Sequence, residues 1–215
     1  MKLAYRFVFF DVDSTLVTVE GIDLLAAGNR EVAELTDRAM NGDIPIDEVY
    51  ARRLEIIRPR REQIEEIGET YCRSLTPGAE ETLATLREAG AQIHLVTAGI
   101  AQAIAPVARR LGVPARAVHS VALTFDEDGA YLDFDRRSFL TRAGGKELVV
   151  RDVRSRSHGK AAFVGDGVTD LDAKPAVDLF IGFGGVLARD RVRENADVFV
   201  TEPDLRAVLP HLMNE

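Results

Sequence analysis

Two acids one residue apart, Asp11 and Asp13, follow directly on the apolar run Phe7-Val8-Phe9-Phe10. Carboxylates so close to a buried segment repel each other and lose solvation, and a divalent cation is the usual remedy. A second acidic group, Gly165-Asp166-Gly167-Val168-Thr169-Asp170, follows the apolar pair Phe163-Val164. Thr97-Ala98-Gly99 follows Ile93-His94-Leu95-Val96, and Lys146 follows Gly144-Gly145. Asp11, Asp13 and Asp166 together make an all-oxygen donor set suited to a hard cation such as Mg2+. Lys146 offers a mobile positive charge, Thr97 a hydroxyl, and the glycine-flanked backbone its N–H groups. A bound phosphate needs these groups, so the chemistry indicated is phosphoryl transfer from a phosphomonoester. Taken alone, Asp11 and Asp13 would also suit a strand-end turn or a helix cap, with Ser14 and Thr15 opening the helix.

The elements that must position these groups alternate. Phe7 to Phe10 reads as a buried strand of a parallel sheet, apolar on both faces. Further strands are predicted at Gln92–Val96, Ala161–Val164, Leu179–Gly182 and Asp197–Thr201. Helices are predicted at Ala79–Ala89, ended by Gly90, at Ile100–Leu111, closed by Gly112, and at Lys146–Val153. Val121–Phe125 and Tyr131–Phe134, joined through Asp126-Glu127-Asp128-Gly129, read as a hairpin. Strands alternating with helices imply an α/β fold with a doubly wound parallel, Rossmann-like sheet. In such a sheet Asp11, Thr97 and Asp166, each at the carboxyl end of a strand, share one rim.

Residues 18–73 interrupt the alternation. Val32, Leu35, Ala39 and Met40 recur at helical spacing, as do Ile46, Val49, Tyr50, Leu54 and Ile57, then Ile64, Ile67 and Tyr71. The expected division is a catalytic core of 1–17 and 74–215 with a helical cap, 18–73, inserted over the strand ends as a lid. Arg53 lies on the apolar face of its helix and Arg52 points away. An arginine in an apolar stripe either pairs with a carboxylate, of a ligand or of a glutamate in the chain, or snorkels outward.

Asp11-Val12-Asp13-Ser14-Thr15, Thr97-Ala98-Gly99, Lys146 and Gly165-Asp166-Gly167-Val168-Thr169-Asp170 resemble, in order, the four motifs of the haloacid dehalogenase (HAD) superfamily. The flanks Glu20-Gly21-Ile22-Asp23, Arg38-Ala39-Met40, Arg53-Leu54 and Phe180-Ile181-Gly182-Phe183-Gly184-Gly185 extend the likeness nearly end to end, toward its phosphoserine phosphatases. The resemblance implies a Mg2+-dependent phosphomonoester hydrolase working through an aspartyl phosphate on Asp11. Asp13 would be the acid and base, and Mg2+ would be held by Asp11, Asp166 and the Asp13 carbonyl. Asp170 would orient the metal waters or Lys146, while Lys146 and Thr97 grip the phosphate. It implies a small phosphorylated amino acid as substrate, with Arg53 on its carboxylate, Glu20 on its ammonium, and Met40 and Gly42 lining the pocket. Ala98, Gly99 and Thr169 belong to the matching phosphate-side motifs. Thr97-Ala98-Gly99 stands where relatives often have Ser-Gly-Gly, and Ile46 where many have an aromatic residue. A HAD phosphatase or phosphotransferase for another small phosphorylated metabolite would carry the same core. A non-catalytic binding protein would not need the full set of Asp11, Asp13, Lys146 and Asp166.

Composition sets the outer limits. With 215 residues, 46% of them hydrophobic, the chain can bury one core with an insertion. A net charge of −8 argues against nucleic acid or an anionic membrane as partner. The single cysteine, Cys72, excludes an intrachain disulfide and fits a reducing compartment. No signal peptide or membrane span is expected, so the expected location is cytoplasmic, as a monomer or homodimer. The basic cluster Arg58-Pro59-Arg60-Arg61 is followed by Glu62, Glu65 and Glu66, the pattern of a solvated helix start. Of the histidines, His94 is expected in a strand, His119 and His158 in loops and His211 near the C-terminus, none with a partner at metal-ligand spacing and all therefore structural or solvated.

Overall fold

The computed structural model describes residues 2–40, 43–44 and 46–214, without the side chains of Met40 and Ile46. Four consecutive apolar residues can all be buried only in a strand covered on both faces, and Phe7–Phe10 (β2) is such a strand, with all four buried. Gln92–Ile100 (β3) lies on one side of it and Ala161–Gly165 (β7) on the other. Val118–Val121 (β4), Leu179–Phe183 (β8) and Val198–Val200 (β9) complete a parallel sheet of order β4-β3-β2-β7-β8-β9. The order of winding reverses at β2, and the crevice at such a reversal is where ligands bind in open α/β sheets.

Ala79–Glu88 (α5), Ala101–Arg110 (α6), Gly145–Ser155 (α7), Val168–Leu171 (α8) and Asp190–Asn195 (α9) connect these strands. Phe9, Phe163 and Phe180 stack across β2, β7 and β8, with ring centres 6.3 and 5.9 Å apart. A short pair, Lys2–Leu3 (β1) against Met213–Asn214 (β10), joins the chain ends after the single turn Leu209–Leu212 (α10).

Among the described residues, four helices run between β2 and α5: Gly21–Ala26 (α1), Arg30–Met40 (α2), Ile46–Ile57 (α3) and Arg61–Arg73 (α4). The segment leaves and re-enters the core at one place, a bridge between Val17 and Leu75, where Thr18 N donates to Ser74 O at 2.8 Å and Thr76 N to Leu16 O at 2.9 Å. The antiparallel hairpin Leu123–Phe125 (β5) and Tyr131–Phe134 (β6) braces α4 from the core side. Its turn accepts hydrogen bonds from Arg61 N at Gly129 O (2.9 Å) and from Arg60 Nη2 at Asp128 O (2.7 Å).

Three expectations are corrected. Val121 closes β4 opposite Ile100 instead of opening the hairpin. Strand β3 does not stop at Val96 but runs to Ile100, so Thr97-Ala98-Gly99 belongs to its carboxyl end. Finally, His119 lies in β4 and faces His94, with Nδ1 of His94 3.2 Å from Nε2 of His119. Burial pushes His94 down to about 4, helped by its neighbour, and burial also lowers His119. The rings are therefore a neutral pair at neutral pH. Val118-His119-Ser120-Val121 has too few apolar residues to announce a strand by pattern; only the neighbouring β3 makes it one.

Phe163→Ala should cost about 3–5 kcal/mol, the range for removing a buried ring that the fold cannot refill. Leu132→Ala, at an exposed position of β6, should stay within about 0.5 kcal/mol. Urea denaturation of both variants measures the difference.

Candidate active site

Register builds the rim. Phe10 stands opposite Leu95 of β3 and Val164 of β7, so Asp11, Thr97 and Asp166 all follow that level within two residues, although β3 itself continues to Ile100. Asp11 N still donates to Val164 O at 3.0 Å, which fixes the first residue beyond β2. Lys146 is delivered by the first turn of α7 and Asp170 by the first turn of α8. Gly165 lies so close to Asp170 that a Cβ would stand 2.5 Å from its Oδ2, leaving no room for another residue.

Charge dominates this rim. Lys146 Nζ lies 2.9 Å from Asp11 Oδ1 and 2.5 Å from Asp170 Oδ1, with all three side chains buried. Burial alone would discharge the lysine, but Asp11 and Asp170 outweigh it and raise its pKa. Asp170 is pushed up to about 7 by burial and by Asp11, against the pull of Lys146 and of Gly167 N, which donates to its Oδ2 at 2.8 Å. Asp166 is driven well above the usual carboxylate range by burial, then by Asp170 and Asp11. Its partners are at long range: Thr15 Oγ1 at 3.4 Å and Arg189 Nε at 3.3 Å. Asp11 Oδ1 meets the charge of Lys146 yet accepts no well-aligned hydrogen bond. Oxygens of Asp11, Asp166 and Asp170 all lie within 4.8 Å of one another. Buried and mutually repelling, with Asp11 Oδ1 and Asp166 short of close donors, they fit a hard divalent cation.

Asp13 turns away from this cluster. Its Oδ1 accepts hydrogen bonds from Gly21 N at 2.7 Å and from the Tyr71 hydroxyl, while its Oδ2 faces Thr97 Oγ1 at 3.5 Å. Burial and Asp11 raise it to about 6, opposed by Tyr71, Gly21 N and Lys146. A carboxyl group poised there can give and take a proton near neutral pH. Thr97 Oγ1 accepts from Gly99 N at 2.9 Å. Glu20 accepts from Ser14 Oγ at 2.5 Å and is held well above the usual range by burial, Asp13 and Asp166.

Across from them is Arg53 of α3, 6% exposed, donating from Nη1 to Thr36 Oγ1 at 3.2 Å. Its Nε is buried without a partner among the described residues. Arg52 points outward to Glu31 at 2.6 Å, as the helical spacing requires. Tyr50 OH reaches from α3 to the carbonyl of Ala98 at 3.1 Å, joining helix to rim.

Of the residues singled out in the sequence, Asp11, Asp13, Glu20, Arg53 and Lys146 line one pocket, together with Thr97, Ala98, Gly99 and Thr169. Asp166 and Asp170 lie beside it, grouped with Asp11 in one carboxylate cluster. Gly42 and the side chain of Met40 fall outside the described residues. Sequence reasoning counted Tyr50 and Tyr71 as apolar stripe members and passed over Thr36 and Arg189. The tyrosines did carry a signal, because a buried tyrosine hydroxyl needs a partner. Arg189, which follows the Gly184-Gly185 turn, carried none.

A sequence profile of the haloacid dehalogenase-like hydrolases matches residues 8–173. Phosphoserine phosphatase of Homo sapiens is 38% identical over 199 residues, covering 91% of this chain and 88% of that protein. The chloroplastic phosphoserine phosphatase of Arabidopsis thaliana is 41% identical over 196 residues, covering 88% of this chain and 66% of that protein. Among solved structures, a phospho-aspartyl intermediate analogue of phosphoserine phosphatase is similar with a TM-score of 0.84 at 25% identity, covering 99% of this chain and 100% of that one.

Adding Mg2+ at a hundredfold excess over its dissociation constant should stabilise the protein by about 2.7 kcal/mol, a rise in Tm of roughly 5–10 °C. Asp166→Asn should abolish most of that rise. Thermal denaturation with and without the cation reads it directly.

Proposed function

We propose that this chain, which belongs to the haloacid dehalogenase-like hydrolases, hydrolyses O-phospho-L-serine to L-serine and phosphate. The observation that carries the choice of substrate is the pairing of Glu20 and Arg53 around one pocket with Asp11 and Asp13. A carboxylate and a guanidinium facing the same small space suit a ligand with an ammonium and a carboxylate. The buried Arg53 Nε without a partner is a donor waiting for such a carboxylate. An ammonium beside Glu20 favours its ionised form, against the burial that now raises its pKa. The names of the relatives point the same way.

In this reading Asp11 attacks the phosphorus in line, the ester P–O bond breaks, and an aspartyl phosphate forms. Asp13 gives its proton to the departing serine oxygen, then takes one from the water that hydrolyses the intermediate. Lys146 and the Thr97 hydroxyl grip the phosphoryl oxygens, and Asp170 keeps Lys146 in place. Asp11, Asp166 and the Asp13 carbonyl would hold Mg2+, which neutralises charge on the phosphoryl group when bound. Residues 18–73 act as the cap. With Asp13 8% and Arg53 6% exposed, substrate enters only when the helices carrying Arg53 move off the rim.

Phosphate release with Mg2+ should favour L-phosphoserine over phosphoethanolamine, phosphoglycerate and a sugar phosphate by at least about tenfold in kcat/KM, or 1.4 kcal/mol of discrimination. A substrate lacking the carboxylate or the ammonium that matched it would refute the reading. Arg53→Ala should cost phosphoserine on the order of a hundredfold in kcat/KM, the value of a buried charge-assisted contact. An aryl phosphate should lose far less, and equal losses on both would mean that Arg53 does not read the carboxylate.

A further inference from the structure

The two oxygens of Asp13 have different surroundings. Oδ1 receives two donors, Gly21 N at 2.7 Å and the hydroxyl of Tyr71, which is fully buried in α4. Two donors use both lone pairs of that oxygen. Oδ2 receives no donor closer than Thr97 Oγ1 at 3.5 Å and faces the open side of the site beside Gly99. A proton placed on Oδ1 would either meet the Gly21 N–H or turn the Tyr71 hydroxyl into its acceptor, leaving that buried hydroxyl's own hydrogen with no other acceptor among the described residues. A proton on Oδ2 meets no such obstacle.

We propose that Tyr71 is a positioning residue: together with the Gly21 N–H it fixes the transferable proton of Asp13 on Oδ2, the oxygen turned toward Thr97 and Gly99. The inference rests on the reading of Asp13 as the acid and base. The local sequence is fitted to this contact. A Cβ at position 21 would come 2.0 Å from the Tyr71 hydroxyl oxygen and 3.0 Å from the ring carbon that bears it, so only glycine lets the tyrosine reach Asp13. Gly21 thus serves twice, giving its N–H to Asp13 and leaving room for the second donor. Without the tyrosine, Oδ1 is open to the proton as well, the carboxyl group can rotate, and the proton no longer stands where the leaving oxygen needs it.

The test uses the dependence on leaving group in the Mg2+-saturated enzyme. Serine leaves as a basic alkoxide that needs the proton, whereas p-nitrophenolate leaves without one. Because kcat/KM reports the steps through transfer to Asp11, it isolates the proton delivered to the leaving group from the later activation of water. Tyr71→Phe should lower kcat/KM for phosphoserine roughly tenfold more than for p-nitrophenyl phosphate, the scale of one hydrogen bond to a charged group. Asp13→Asn should show the same bias more strongly. Equal losses on the two substrates in Tyr71→Phe, or none, with the bias retained in Asp13→Asn, would overturn the role of Tyr71 alone. No bias in Asp13→Asn would overturn the acid–base reading itself, and the inference with it. Gly21→Ala, which pushes the hydroxyl away from Asp13, should reproduce the substrate bias with the tyrosine still present. The double variant Gly21→Ala/Tyr71→Phe should recover part of the Tm lost in Gly21→Ala without recovering the bias. Recovery of both would mean that the tyrosine only packs.

Discussion

The structure depends on how uncompensated negative charge is held out of water at the carboxyl ends of β2 and β7. Asp11, Asp13, Asp166, Asp170 and Glu20 crowd into one region, against Lys146, Arg189 and, from α3, Arg53. Two unit charges 4 Å apart interact by about 4 kcal/mol at an effective dielectric constant near 20, so each neighbour matters to every other. The fold accepts this because Lys146 touches two of the acids, and because backbone donors at Gly21 and Gly167 hold two carboxylates in fixed orientation. The remaining deficit of positive charge favours a cation at Asp11 and Asp166. Buried pairs of this kind do little for net stability, since desolvation offsets much of their attraction. Here they hold the carboxylates apart and aimed, with Asp11 against Lys146 and the free oxygen of Asp13 toward Thr97 and Gly99.

That separation is made jointly by the two parts of the chain. The sheet alone would present Asp11, Thr97 and Asp166, but not the orientation of Asp13. The donors to Asp13 come from α1 and α4, and the arginine facing it from α3. Tyr50, reaching Ala98 O, closes the same circuit from the far end of the pocket. The helical segment therefore does more than cover the rim: it supplies part of the electrostatic environment of a group the core provides. The hairpin β5–β6 holds the start of α4 through backbone carbonyls at its turn. The end of α4 that carries Tyr71 is anchored next to the Val17–Leu75 bridge. Motions that admit substrate are thus expected at α2 and α3, whose ties to the core are fewer, more than at α4.

Much of this was legible in the residues. An apolar run with no polar face reads as a central strand, and acids directly after such a run stand at its carboxyl end. Those two facts placed Asp11 and Asp166 on a common rim before any coordinate was known, while Lys146 joined them only through its charge and the motif it resembles. Helical spacing alone separated a buried Arg53 from an exposed Arg52. What the pattern could not reveal depended on neighbours distant in the chain. β4 is a strand because β3 lends it hydrogen bonds, and His119 pairs with His94 for that reason. Arg189 meets Asp166 only because β8, the neighbour of β7 in the sheet, returns the chain to the rim. Tyr71 looked like one more member of an apolar stripe, and only the packing of α4 against the end of β2 turned its hydroxyl onto Asp13. Residue type and local spacing determined which chemical groups were present and which face each occupied, because burial preference and backbone period act over a few residues. Tertiary structure decided which oxygen met which donor, because hydrogen bonds and pKa values depend on separations of a few ångströms between segments that the sequence leaves tens of residues apart.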